Sequence, residues 1–151
     1  MAPIVVTVDI ARPPEEVFAY VTDPSRLPEW QASAISVKPH DAPIHVGSRV
    51  VVTRRAGPRE MDMTVEVSEL EPPKRWRLRG VDGPVRGNVN GTIEPLDNGA
   101  RSRVTINLEL NGHGIGKLLV PLVVQRQART EMPLNVQRLK ERLEADTSHA
   151  A

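Results

Sequence analysis

Cysteine is absent from the 151 residues, so the chain forms no disulfide and offers no thiolate to a metal, and a reducing cytoplasm suits it. Aromatic residues are nearly as scarce. Phe18, Tyr20, Trp30 and Trp76 are the whole set, too few for a site built on ring stacking. No apolar run reaches the roughly eighteen residues that a membrane span needs. Neither sign of charge is in surplus, with 20 Lys and Arg interspersed among 19 Asp and Glu. Nucleic acid is therefore not the expected partner, because phosphate binding wants basic residues concentrated on one face. Met1, Ala2 and Pro3 lead straight into a strand pattern with no basic-then-apolar signal segment. No P-loop, dinucleotide fingerprint or Ser-His-Asp arrangement is present.

What is there is organised around the segment from Gly114 to Glu144, long enough for a helix of about thirty residues and roughly 45 Å. Its apolar residues Leu118, Leu119, Leu122 and Val123, then Met132, Val136, Leu139 and Leu143, recur at three- and four-residue steps. One stripe is therefore to be buried against a sheet. Pro121 and Pro133 interrupt the segment: Pro121 suits a helix start and Pro133 a kink, and the alternative is a pair of hinges that gate a cavity.

The segments before it read as strands. Ile4 to Ala11 alternates, and further strands fall near 34–38, 49–55, 60–70, 74–81, 85–94 and 101–110. Gly57-Pro58, Pro72-Pro73, Gly83-Pro84 and Asn98-Gly99 separate the later ones with turn chemistry, so neighbours pair antiparallel. Pro13-Pro14-Glu15-Glu16 starts a short helix, and Asp23-Pro24 starts a second that ends near Trp30. The expectation is one α+β domain over 1–145 with a frayed tail at 146–151: a seven-stranded antiparallel sheet wrapped around a long C-terminal helix, with two short helices between strands 1 and 2.

The stretch Ile10-Ala11-Arg12-Pro13-Pro14-Glu15-Glu16-Val17-Phe18, then Thr22-Asp23 and Leu27-Pro28-Glu29-Trp30, resembles the opening of the START-related helix-grip (SRPBCC) superfamily. Gly47-Ser48-Arg49, Leu70-Glu71-Pro72-Pro73 before Trp76, Leu96-Asp97-Asn98-Gly99 and Leu139-Lys140-Glu141-Arg142-Leu143-Glu144 extend the likeness along the chain. The superfamily includes polyketide cyclases and dehydratases, lipid-transfer domains and pollen-allergen-like carriers. The resemblance implies the helix-grip fold and says little about reaction.

Strand alternation gives the inward set independently. Met61, Met63, Val65 and Val67 share a face, as do Trp76 and Leu78; Val89 and Ile93 share theirs with Gly87 and Gly91. This face is apolar, and its glycines either leave room for a guest or relieve sheet curvature. The candidate ligand-binding residues are Trp30, Met61, Met63, Trp76, Leu78, Val89, Gly91 and Leu122, with Arg126 as the partner of an acidic group on the ligand. Arg129 is a second such cation. One of Arg54 and Arg55 faces inward, but Val50, Val51 and Val52 hide the phase. His40, Asp41 and His45 share a proline-containing loop that would hold a metal poorly, and His113 lies between two glycines at the helix entrance. No catalytic residue, metal or cofactor is assigned.

The expected function is binding of a hydrophobic or amphipathic small molecule, such as a lipid, polyketide or isoprenoid, between sheet and helix, by a cytoplasmic monomer or homodimer without stable membrane insertion. The alternative is a cofactor-free cyclase or dehydratase, which needs a buried acid or base and a group to stabilise an enolate. A protein-interaction role would show instead as a collapsed cavity and an apolar patch outside.

Overall fold

The computed structural model describes residues 3–145, and the expected frayed tail lies outside them. The strands are β1 (Ile4–Ile10), β2 (Ala34–Val37), β3 (Arg49–Ala56), β4 (Arg59–Glu71), β5 (Arg75–Asp82), β6 (Val85–Leu96) and β7 (Arg101–Gly112). They form one curled antiparallel sheet in the order β1-β7-β6-β5-β4-β3-β2. From β2 to β7 the chain is a meander, because the turns between strands are too short for a crossover. The β3–β4 turn depends on Gly57, whose φ of +61° lies in the left-handed region. Strand β1 then pairs with β7, from Ile4 opposite Leu108 to Ile10 opposite Ser102.

Between β1 and β2 lie α1 (Pro14–Val21) and α2 (Leu27–Trp30), the latter preceded by a 3-10 turn at Pro24–Arg26. Pro14 opens α1, and Glu15 and Glu16 sit in its electropositive first turn. Asp23 caps the second turn of chain by accepting the Ser25 N–H at 3.1 Å. The C-terminal helix runs as α3 (Gly116–Leu119), a π-helical segment Val120–Val124, and α4 (Gln125–Ala145). This is the α+β helix-grip architecture.

Two expectations for that helix are corrected. It begins at Gly116, so Pro121 stands inside it, on the wide turn rather than at its start. The buried stripe also changes phase there. Val136, Leu139 and Leu143 are buried as the spacing requires, but further back Val120 and Val124 are buried, while Leu118 and Leu122 are 65% and 68% exposed. A π turn takes up about one residue more than an α turn. The inward positions therefore step back by four (132, 128, 124, 120), and Leu118 and Leu122 rotate out beside exposed Ile115.

The helix is held at both ends. Near its C-terminus, Glu144 Oε2 accepts the Ala11 N–H at 2.9 Å, and Lys140 Nζ donates to the Asp9 carbonyl at 2.9 Å. Arg12 Nη2 donates to the Glu144 carbonyl at 3.1 Å. Val136, Leu139 and Leu143 seal this end against Ile10, Val17, Phe18 and Ile93. At the other end, Val120 and Val124 pack with Ala56 and Val85, with Met61 against them. Gly116 lies so close to the β5–β6 turn that a Cβ would sit 1.6 Å from the Pro84 carbonyl oxygen.

Two outcomes follow from this packing. Burial works against ionisation of the Glu144 carboxyl, but hydrogen bonds from Lys140 and the Ala11 N–H outweigh it and hold the pKa below its ordinary value of 4.5. A carboxyl lowered on folding stabilises above its unfolded pKa and loses that contribution as pH falls through the folded one. Glu144→Gln should therefore lower the urea midpoint at pH 7, and the difference from wild type should narrow as pH falls below the ordinary 4.5 and close once the folded-state carboxyl is protonated. Separately, a Cβ at Gly91 would stand 2.2 Å from the Trp76 ring, which lies across from it in the β5–β6 pair. Gly91→Ala should cost about 1–3 kcal/mol or more in urea unfolding, with a change in tryptophan emission.

Candidate functional site

Between the two seals the helix stands off the sheet and leaves a cavity of about 160 Å³. The reason is visible along α4. Where the inward stripe should carry large apolar residues it carries Gln127, Ala128, Glu131 and Asn135, with Met132 the one large apolar residue among them. Small and polar side chains at these positions do not fill the space to the curled sheet with apolar volume. The opposite wall is Met63, Val65, Trp76, Leu78, Gly87, Val89, Leu108 and Leu110, and Trp30 and Leu27 close the side next to α2.

Of the nine residues singled out from sequence, Trp30, Met63, Trp76, Leu78 and Val89 line this cavity. The other four do not. Met61 packs in the apolar cluster under Val120 and Val124, one strand step beyond the cavity. Gly91 is covered by the Trp76 indole, so the volume it vacates is filled by its cross-strand neighbour. Gly87, by contrast, does border the cavity. Leu122 faces outward, displaced by the π turn, and Arg126 and Arg129 are exposed on the outer side of α4. His113 is exposed and off the cavity wall. His45 Nδ1 lies 3.1 Å from the Ser48 hydroxyl.

The Arg54 or Arg55 ambiguity resolves by alternation. Val50, Val52 and Ala56 are buried on β3, and Arg54 shares their phase. Arg54 is partly buried and lines the cavity, whereas Arg55 is an exposed residue at its rim. Arg54 Nη1 donates to the Ser33 hydroxyl at 3.1 Å, and no carboxylate oxygen among the described residues lies within 4 Å of the guanidinium. Burial pushes its pKa down to about 10, partly offset by the field of Glu131 across the gap, so it remains charged at neutral pH.

Asn135 belongs to the same polar corner. Its Oδ1 accepts the Ala32 N–H at 3.1 Å, which leaves the amide Nδ2 without a protein acceptor among the described residues. The Trp30 indole N–H in the adjoining segment is buried with no acceptor there either. The corner thus brings together the α2–β2 connection, β3 and α4, and its free groups are mostly donors. Tyr20 lies elsewhere. Its pKa is raised to about 12 by burial and by the hydrogen bond to Glu29 at 2.8 Å, and it does not line the cavity.

One contact closes the cavity on the β3–β4 side. Gln127 Oε1 accepts the Gly57 N–H at 2.8 Å, and its Nε2 donates to the Arg55 carbonyl at 2.8 Å. A single side chain therefore laces the helix to the turn.

The family described as polyketide cyclase / dehydrase and lipid transport matches residues 1–144. The chain belongs to that family. No curated protein matches it. Among solved structures, a protein of Thermus thermophilus is 21% identical with a TM-score of 0.76, over 95% of this chain and 97% of that one. A START superfamily protein of Mycobacterium smegmatis is 14% identical with a TM-score of 0.71, over all of both chains. The di-domain ARO/CYC protein BexL is 16% identical with a TM-score of 0.70, over 100% of this chain and 48% of its own. Identities this low establish a shared fold and no more. The family membership also fits the structural finding that no helix among the described residues is long and apolar enough to cross a membrane.

The Gln127 contact is open to measurement. Gln127→Ala leaves the Gly57 N–H and the Arg55 carbonyl without their partner. Amide exchange at Gly57 should quicken by tenfold or more, with a global loss of about 1–3 kcal/mol. Unchanged protection at Gly57 would mean that Gln127 does not hold the helix to this turn.

Proposed function

We propose that this family member encloses a small hydrophobic or amphipathic molecule between sheet and C-terminal helix. The observation that carries the reading is the interruption of the helix stripe: both ends of the C-terminal helix, from Val120 to Leu143, are sealed by apolar side chains, and the middle is kept open. An accidental packing defect of this size is costly, at ~24 cal/mol per Å3 in measured core deletions. The walls are mostly apolar, and Arg54, Ser33 and Asn135 make one polar corner among them, the arrangement of a site that takes a guest by shape and orients it by one end.

The volume bounds the guest. An apolar cavity of about 150 Å3 accommodates benzene. The enclosed space therefore suits one or two rings or a short chain, and a full-length lipid requires the helix or the Met63 and Met132 side chains to give way. The cyclase alternative has one observation in its favour, that Arg54 and Glu131 both border the cavity and would supply a cation for an enolate and a carboxylate for proton transfer. Binding is favoured over it because the wall among the described residues carries no histidine or tyrosine, and Glu131 is its one carboxylate; Arg55 and Arg86 also border it, but neither brings a second proton-transfer group.

The test is displacement of an apolar fluorescent dye by short-chain and one-ring compounds, repeated on Val89→Phe, which fills the cavity from β6. Dye affinity should fall by tenfold or more in the variant while far-UV circular dichroism is unchanged. Equal dye binding to both proteins, or none to wild type, would remove the cavity from the function.

A further inference from the structure

We infer that the guest carries an anionic oxygen group, of the carboxylate class, and that Arg54 with the Asn135 amide is the subsite that receives it. The inference rests on the enclosed-ligand reading above and adds its polarity and orientation.

Arg54 reaches the cavity from β3, with Ser33 its hydrogen-bonded side-chain partner and no carboxylate in contact. A guanidinium offers five N–H donors in a planar fork, of which the Ser33 hydroxyl takes one, and the residue borders the cavity. A charge among apolar walls without matched acceptors is costly to keep. An apolar residue in the same β3 phase as Val50 and Val52 would pack better if the wall had no other task. Asn135 is a buried residue at 7% exposure, with its side-chain oxygen engaged by the Ala32 N–H and its nitrogen open. Donors from two elements thus converge on one corner, and a planar two-oxygen group satisfies both with charge-assisted bonds.

Glu131 faces the same space from α4, one turn before Asn135. Its carboxylate balances the charge of Arg54 at a distance greater than an ion pair. It opposes an incoming anion, so it limits affinity and does not create the site. The rest of the guest then lies along Met63, Leu78 and Val89.

Octanoate and octan-1-ol share a chain and differ at the head, so calorimetric titration of both at pH 7 reads the subsite directly. Octanoate should bind wild type at least tenfold more tightly than octanol. In Arg54→Met the loss for octanoate should exceed the loss for octanol by at least tenfold, and Arg54→Lys should recover part of it. In Glu131→Gln octanoate should gain severalfold relative to octanol. If octanol binds wild type as well as octanoate does, or if the preference survives Arg54→Met, the anion subsite is wrong while the cavity reading stands. If neither compound binds and the apolar dye does not enter, both fall together. Should Arg54→Met fail to fold, the wild-type pair and the Glu131→Gln ratio still decide the question.

Discussion

Everything in this protein depends on a helix fastened at its two ends to a concave sheet and left unsupported between them. Ion-assisted hydrogen bonds donated by Lys140 and Arg12 and accepted by the Glu144 carboxylate hold one end to the β1–α1 corner, and leucine and valine packing reinforces them. The other end is set by Gly116 against the β5–β6 turn and by Val120 and Val124 in their own apolar cluster. With both ends fixed, the side chains on the middle turns decide whether the interior is full. Gln127, Ala128, Glu131 and Asn135 leave it open. The cavity is a consequence of which residues occupy four or five helix positions, and the sheet opposite need not be unusual.

Much of the fold was legible because the signals for it are local. Turn pairs such as Gly57-Pro58 and Gly83-Pro84 announce hairpins, and hairpins in succession dictate a meander. Period-two alternation then assigned the inward faces of β4, β5 and β6, and Met63, Trp76, Leu78 and Val89 fell where that phase put them. The one strand where alternation was masked, by three valines in a row, was the one whose arginine mattered. The neighbouring Ala56 would have settled it, since a small buried residue two positions on fixes the phase of Arg54.

The helix was harder to read, for a specific reason. A stripe is extrapolated at a constant period, and the π turn at Val120–Val124 breaks it. Pro121 marks the place without saying how the chain responds, whether by ending, kinking or widening. Leu118 and Leu122 consequently looked buried and are not. Arg126, singled out as the cation for an acidic group on the ligand, faces out for a separate reason, its place on the outer side of α4. Gly91 misled differently: an inward glycine signals vacated volume, but whether a neighbour fills that volume depends on cross-strand register, which placed Trp76 directly opposite. The signal that could have located the cavity lay in plain view as the polar residues interrupting an otherwise apolar spacing between Val124 and Val136.

The polar corner carries a thermodynamic tension that the apolar walls do not. Burial lowers the affinity of Arg54 for its proton, yet not far enough to neutralise it, so a full charge faces hydrocarbon with one hydroxyl in contact. Glu131 relieves part of this through space, and moving it into direct contact would have relieved more. The helix geometry that holds the cavity open is also what keeps the two apart, because α4 is pinned before and after the turn that bears Glu131. Charge separation and void volume therefore have a common origin, and a change that let the helix settle onto the sheet would abolish both at once.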